Sequence, residues 1–267
     1  MEKYSLVFGL GPAGLFVARQ LVKAGISVIG IGRHDDIGLY SKYVKGYIAE
    51  TKKEINNLVN KICMKSQVVP KAYICSDQYL TMLLDECPEI FEKIQFIGAN
   101  KASLKLINSK NEIYKYCNKV GINIPKSNEI LEDEDIIFPL IFKLNSKRIN
   151  AKKNPIGKIK IIKNREELNR LKVEINNSIV SNNDIVVQTY ISGNNANQFS
   201  FGGYFKNGIE ISGIIVNQLR QYPQGVSSYV EEIDNKVLEE IIRKLIIAFV
   251  SPLKYTGFLE LEFKISN

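Results

Sequence analysis

Residues Phe138–Lys163 read FPLIFKLNSKRINAKKNPIGKIKIIK, two short apolar runs that each carry lysine out of an otherwise greasy stretch. The first, Pro139–Leu144, reads as a strand with Lys143 near its end. The second, Ile156–Ile162, alternates so that Lys158 and Lys160 fall on one face, as the two-residue period of a strand requires. Ammonium heads projecting from paired strands suit a polyphosphate, which takes compact point charges around it. Read alone, the same residues fit better as the solvated faces of an ordinary hairpin, since a charge at strand spacing is usually just surface. The sequence on either side has to decide between the two.

Downstream, a helical pattern runs from Arg165 to about Ile175, and an apolar strand follows at Ile185–Ile191. A loop with Asn194, Asn195 and Asn197 leads into a long hairpin, whose turn is Asn207-Gly208 between Gly203-Tyr204-Phe205 and Ile209-Glu210-Ile211. Val237–Val250 is an amphipathic, isoleucine-rich helix. Gly257–Ile265, GFLELEFKI, is a final strand on which Glu260 and Glu262 share a face, an arrangement more common on exposed surfaces than in sites. Upstream, Ser109 can cap a helix whose apolar positions are Ile113, Tyr116, Cys117 and Val120. Gly121 stands in the usual place just past its end, and GINIP (Gly121–Pro125) carries the chain out extended.

Further upstream the texture changes. A strand at Ser5–Gly9, the turn Gly11-Pro12-Ala13-Gly14, a helix to Ala24 and a strand at Ser27–Ile31 form a βαβ opening, with Gly9, Gly11 and Gly14 in G-x-G-x-x-G spacing. A dinucleotide site wants an acidic residue at the tip of the second strand. Here stand Gly32 and Arg33, with Asp35 and Asp36 slightly late, although Arg33 would suit a 2′-phosphate. The competing reading is that the glycines permit a tight turn and close helix packing. A helix N-terminus facing an anionic group of another ligand is a third. The alternation continues through a helix at Lys53–Met64, a strand at Ala72–Cys75, a helix after Ser76 that breaks by Pro88, and a strand at Phe96–Ile97. Residues 1–100 thus read as one parallel-sheet unit.

With 267 residues, 45% of them hydrophobic and 24% charged, the chain is globular and long enough for two domains. The net charge of +8 is spread along the whole chain and rarely interleaved with aromatics, so no nucleic-acid partner is expected. Cys63, Cys75, Cys87 and Cys117 form no C-x-x-C pair and His34 is the single histidine, which argues for free thiols and against a zinc site. Neither a span-length apolar run nor a signal-like N-terminus is present; no membrane partner and a cytoplasmic location are the expectations.

Taken in order, IGANKASLKLINSKNEIYKYCNKVGINIP (Ile97–Pro125), FPLIFK (Phe138–Lys143), VVQTYISG (Val186–Gly193) and GFLELEFK (Gly257–Lys264) resemble the ATP-grasp superfamily, in its carboxylate-amine ligase and carbamoyl-phosphate-synthase-like branch. The resemblance implies an α/β chain with a Rossmann-like parallel-sheet domain at 1–100, linker helices and a first ATP-grasp lobe at 101–190, and a second lobe at 191–267. It implies ATP and Mg2+ as cofactors, with small-molecule carboxylate and amine substrates and a homodimer left open. By position, Lys110, Lys143 and Lys158 match basic residues that contact the nucleotide phosphates. Gln188, Thr189, Tyr190 and Ile191 match the segment that reads adenine, partly through its backbone, and Glu262 matches the first of two acidic metal ligands. Arg220, in QLRQYP, resembles a catalytic basic residue near the transferring phosphate. Gly9, Gly11 and Gly14 would help hold the substrate carboxylate.

Such an enzyme phosphorylates a carboxylate with the γ-phosphate of ATP and lets an amine attack the acyl phosphate. Positioning and charge neutralisation carry that chemistry, so no protein nucleophile is needed. Two departures stand out. Thr189 occupies a position where many relatives are acidic, and the sequence ends at Asn267, where relatives add a strand with a second metal-binding glutamate. The expectation is therefore an incomplete second lobe. It leaves two alternatives to a working ligase: a catalytically impaired ATP-binding protein or fragment, and an NADP- or FAD-binding Rossmann protein built on Gly9–Gly14.

Overall fold

The computed structural model describes residues 4–66, 68–127, 136–144, 159–178, 185–193, 197–222 and 227–266. The chain divides into two compact units, Met1–Lys101 and Ala102–Asn267.

The first unit comprises β1 (Tyr4–Phe8), α1 (Pro12–Lys23), β2 (Ser27–Gly32), β3 (Lys45–Ile48), α2 (Lys52–Lys65), β4 (Lys71–Ile74), α3 (Asp77–Asp85) and β5 (Gln95–Phe96). Its five strands are all parallel, in the order β3-β2-β1-β4-β5. Strand alternation divides the apolar residues between two faces. Leu6, Phe8, Ile29 and Ile31 pack with Ile55, Val59 and Ile62 of α2 and Tyr79 and Leu83 of α3, while Val7 and Val28 pack with Ala18 and Leu21 of α1. Both faces are covered, which is why these strands read as near-continuous apolar runs. Helix α2 begins with a capping box, the Thr51 side chain on the Glu54 N–H and the Glu54 side chain on the Thr51 N–H. The sequence reading misses β3, an edge strand reading KGYI whose residues are mostly exposed and carry no apolar alternation.

The second unit begins with α4 (Lys101–Ile107) and α5 (Lys110–Lys119), followed by β6 (Leu140–Leu144), β7 (Ile159–Ile162), α6 (Arg165–Asn176) and β8 (Ile185–Thr189). Ser109 caps α5 through the Glu112 N–H, and Gly121 follows the helix at φ +75. Strands β7-β6-β8 form an antiparallel sheet. One face, Leu140, Phe142, Leu144, Ile162 and Val187, is sealed by Leu168, Leu171 and Ile175 of α6.

The chain then builds β9 (Gln198–Lys206), β10 (Ile209–Gln221), β11 (Ser227–Glu232), α7 (Lys236–Val250) and β12 (Gly257–Lys264), with the sheet order β11-β10-β9-β12, again antiparallel. Asn207 and Gly208 take φ +54 and +80, the left-handed pair that a two-residue hairpin turn needs. Helix α7 buries Ile242, Ile246, Phe249 and Val250, one helical stripe. Its Phe249 meets Tyr116 of α5 edge to face at 5.2 Å, and Tyr116 Oη donates to the Phe249 carbonyl at 2.9 Å. Strand β11 is absent from the sequence reading for the same reason as β3: all six of its residues are exposed.

Candidate functional site

Because Leu140, Phe142 and Leu144 turn toward α6, alternation places Lys143 on the other face of β6, opposite Ile159 of β7 and Val186 of β8. Its amine is partly buried. That burial holds its pKa below the ordinary lysine value, opposed by the Glu262 carboxylate and reinforced by the charge of Lys264. Among the described residues Lys143 forms no ion pair. Lys160 differs. It stands opposite Phe142, on the α6 side of the sheet, and pairs with Glu174 at 2.8 Å. Lys143 and Lys160 therefore do not share one face, and Lys160 belongs to a structural ion pair. Lys158 lies outside the described residues.

Lys110, the first residue of α5, donates to the Leu144 carbonyl at 2.9 Å, at the end of the Lys143 strand. One turn further along α5, Tyr114 Oη donates to Gln188 Oε1 at 3.2 Å, and Gln188 Nε2 donates to Ser127 Oγ at 3.4 Å. Gln188 is fully buried on β8, so both ends of its amide serve the chain itself. The Thr189 N–H is taken by the Lys126 carbonyl (2.8 Å) and the Tyr190 N–H by the Pro139 carbonyl (3.1 Å). The four-residue segment Gln188–Ile191 is thereby pinned at three successive residues and leaves the sheet at Tyr190, one residue past the end of β8.

In the four-stranded sheet Glu260, Glu262 and Lys264 of β12 stand opposite Gly202, Ser200 and Gln198 of β9, all on one face. Gln218 of β10, itself buried, donates from Nε2 to Glu262 Oε1 at 3.0 Å and to Ser200 Oγ. Gln221 Nε2 in turn donates to Gln218 Oε1 and to Gln198 Oε1, each at 3.0 Å. Residues three apart on a regular strand point to opposite faces. Gln218 and Gln221 meet because the β10–β11 register slips twice between them, and bulges re-aim side chains in this way. Arg220 sits between the two slips. It is exposed and donates from Nε to Ser228 Oγ at 3.2 Å, with no hydrogen bond or ion pair among the described residues to Lys143 or Glu262. Lys264 places its ammonium 5.0 Å from the centre of the Tyr190 ring.

The unit thus brings together Lys143, Gln188 and Tyr114 from one side and Glu262, Lys264 and Gln218 from the other, through the Lys264–Tyr190 contact and the Glu262 field at Lys143 and Tyr114. Tyr114 itself is held above the ordinary tyrosine range, chiefly by burial. Sequence reasoning passes over Tyr114, Gln218, Gln221 and Lys264. Tyr114 and Lys264 carry a usable signal, being four residues from Lys110 on a helix and two from Glu262 on a strand. The glutamines carry none, since their meeting depends on the bulges. Among the described residues no three His, Cys, Asp or Glu side chains converge on a common point, and the four cysteines are free.

In the first unit the glycine turn has mechanical reasons of its own. A Cβ on Gly14 would stand 1.9 Å from the Gly9 carbonyl oxygen, and one on Gly9, whose φ is +80, would stand 2.3 Å from Ser76 Cβ. Gly11 alone opens onto free space. Asp36 does not reach outward as a ribose ligand would. Its Oδ2 accepts from the Leu10 N–H at 2.9 Å and the Arg33 N–H at 3.0 Å, while Arg33 Nη1 donates to Gln78 Oε1 at 2.6 Å.

No family model and no curated protein sequence matches the chain. Solved structures do. The biotin carboxylase domain of Hydrogenobacter thermophilus 2-oxoglutarate carboxylase, in complex with MgADP, ADP and bicarbonate, is 16% identical, with a TM-score of 0.72 over 100% of this chain and 62% of that one. An L-amino acid ligase from Bacillus licheniformis is 14% identical, with a TM-score of 0.75 over 100% of this chain and 64% of that one. A D-alanine–D-alanine ligase from Bacillus anthracis complexed with ATP is 17% identical, with a TM-score of 0.61 over 100% of this chain and 83% of that one. The chain spans a little under two thirds of the first two, at 62% and 64%. No helix among the described residues is long and apolar enough to cross a membrane.

Proposed function

We propose that this chain, which has the fold of the ATP-grasp enzymes, binds ATP with Mg2+ on the faces that carry Lys143 and Glu262, and acts as an ATP-dependent carboxylate-amine ligase. The observation that supports this best is Lys143: a partly buried ammonium that pays for its dehydration without an ion pair among the described residues. A cation so placed is stabilised by an anion that arrives from solution, and a polyphosphate fits. Lys110, at the end of the same strand, and Lys158 would add to the phosphate contacts, and the pinned segment Gln188–Ile191 offers a rigid edge to the base.

Glu262 fits Mg2+. Gln218 donates to its Oε1 while the residue as a whole stays exposed, and Mg2+ is commonly held by one or two carboxylates completed by phosphate oxygens and water. Bound there, Mg2+ would neutralise phosphate charge during transfer. Lys143 would hold the phosphates and Gln218 would keep Glu262 in place. The carboxylate substrate would be activated as an acyl phosphate for attack by the amine, with the Gly9–Gly14 turn proposed to help hold that carboxylate. Arg220 would reach the transferring phosphate only by leaving Ser228.

The test uses the full chain with ATP, Mg2+ and a panel of carboxylates and amines. ADP and phosphate are expected only when a productive acid and amine are both present. If ATP raises the melting temperature and no pair yields ADP, the protein binds nucleotide without turnover; if ATP changes neither, the reading is wrong.

A pH dependence follows from Lys143. Its pKa in the free protein is lowered, and phosphate contact favours the charged form, raising that pKa on binding. Between the two values ATP binding takes up a proton, so affinity falls as pH rises through the free-protein pKa, earlier than for an ordinary lysine. Titration calorimetry in two alkaline buffers of different ionisation enthalpy is expected to show net proton uptake; uptake unaltered by Lys143→Met would assign it elsewhere.

A further inference from the structure

We propose that Lys264 is a further ligand of the nucleotide's phosphate chain, one that the free protein parks on the ring of Tyr190. The assignment rests on the ATP reading given above and adds a residue to it.

Lys264 lies two positions beyond Glu262 on β12 and so projects from the same face. Its ammonium sits 5.0 Å from the Tyr190 ring centre, and the side chain is half-buried. It forms no ion pair among the described residues. Its charge also acts on Lys143, making that amine harder to protonate. The two half-buried ammonium groups are thus close enough for the charge of Lys264 to act on Lys143, with Glu262 as the carboxylate that opposes it there.

A ring face is a weak anchor for a cation compared with a charged oxygen. The four-carbon stem lets the ammonium turn without moving the backbone. A ligand with several anionic oxygens takes both ammonium groups at once and cancels their repulsion. A neutral nucleoside does neither. Lys264 thus favours phosphorylated nucleotides over nucleosides, and frees the Tyr190 face as it swings away.

The experiment titrates the full chain with MgATP and with adenosine. Lys264→Met is expected to weaken ATP about tenfold, the value of one charge-assisted contact, and adenosine less than about twofold. Lys264→Arg, which keeps the charge, is expected to hold ATP within about threefold of the wild type. Melting temperatures are read on the same samples, and Lys264→Gln replaces the Met variant if that one melts early. Equal losses for ATP and adenosine would place Lys264 at the base and overturn the assignment, as would ATP binding unchanged in Lys264→Met. Wild-type protein that binds no ATP would remove the nucleotide reading itself, and Lys264's role with it.

Discussion

Lys143→Met is expected to weaken ATP binding by about 10- to 100-fold while raising the stability of the unit that contains it by about 1 kcal/mol. The two effects have one cause. A methionine fills much of the same volume, keeps the place opposite Ile159 and Val186 in the sheet, and needs no water. The lysine is partly dehydrated there without an ion pair among the described residues, and an apolar side chain carries no such desolvation cost. Binding suffers because a charge-assisted contact to phosphate is worth about 1.5–3 kcal/mol. Thermal melting with and without ATP reads both quantities in one experiment. The variant's melting temperature should rise by about 2–4 °C per kcal/mol, and the further rise caused by ATP should shrink or vanish. Loss of ATP protection together with lower stability would make Lys143 a structural residue, and the proposed site would lose its main support.

How much of this was legible in the sequence depended on whether a residue's role rests on regular periodicity. The strands that carry Lys143 and Glu262 are readable, since Pro139–Leu144 and Gly257–Ile265 fold as β6 and β12, but the choice of these two residues comes from the family pattern and not from alternation. Lys160 shows what alternation leaves open. Alternation along one strand says which residues share a face, but not which face meets the covering helix, and Glu174 of α6 claimed Lys160. Gln218 and Gln221 were invisible because the register slips between them, and a bulge leaves no composition signal when it is built from polar residues. Arg220 was placed near the phosphates by family pattern alone, and the same slips turn it to Ser228. The edge strands β3 and β11 escaped because exposed strands have no apolar face to report.

The glycine turn of the first unit gives the other large expected effect, and it separates two meanings of a G-x-G-x-x-G spacing. Gly14→Ala is expected to destabilise the first unit by about 3 kcal/mol or more, because overpacking against rigid neighbours costs about 1–3 kcal/mol and more when backbone must move. Here the added Cβ would stand 1.9 Å from the Gly9 carbonyl oxygen and 2.9 Å from its carbon, both backbone atoms that no side-chain rotation can move aside. Gly11→Ala meets nothing within 4 Å, and Gly11 caps α1 with φ −62, a backbone that alanine adopts freely. Its cost is expected to stay within about 1 kcal/mol, the difference between these residues at a helix N-cap. Hydrogen exchange of the β1 and α1 amides in the full chain measures both, with protection expected to collapse in Gly14→Ala and to persist in Gly11→Ala. Equal protection in the two variants would show that helix α1 can retreat from the turn, and the close-packing account would fail. Because Gly11 is the one glycine of the three whose place a methyl group could share without strain, the carboxylate-holding role proposed for the turn is testable there and not at Gly9 or Gly14. Gly11→Ala should leave ATP protection intact and raise the carboxylate concentration needed for ADP release. An unchanged carboxylate requirement would leave the turn with packing as its whole purpose.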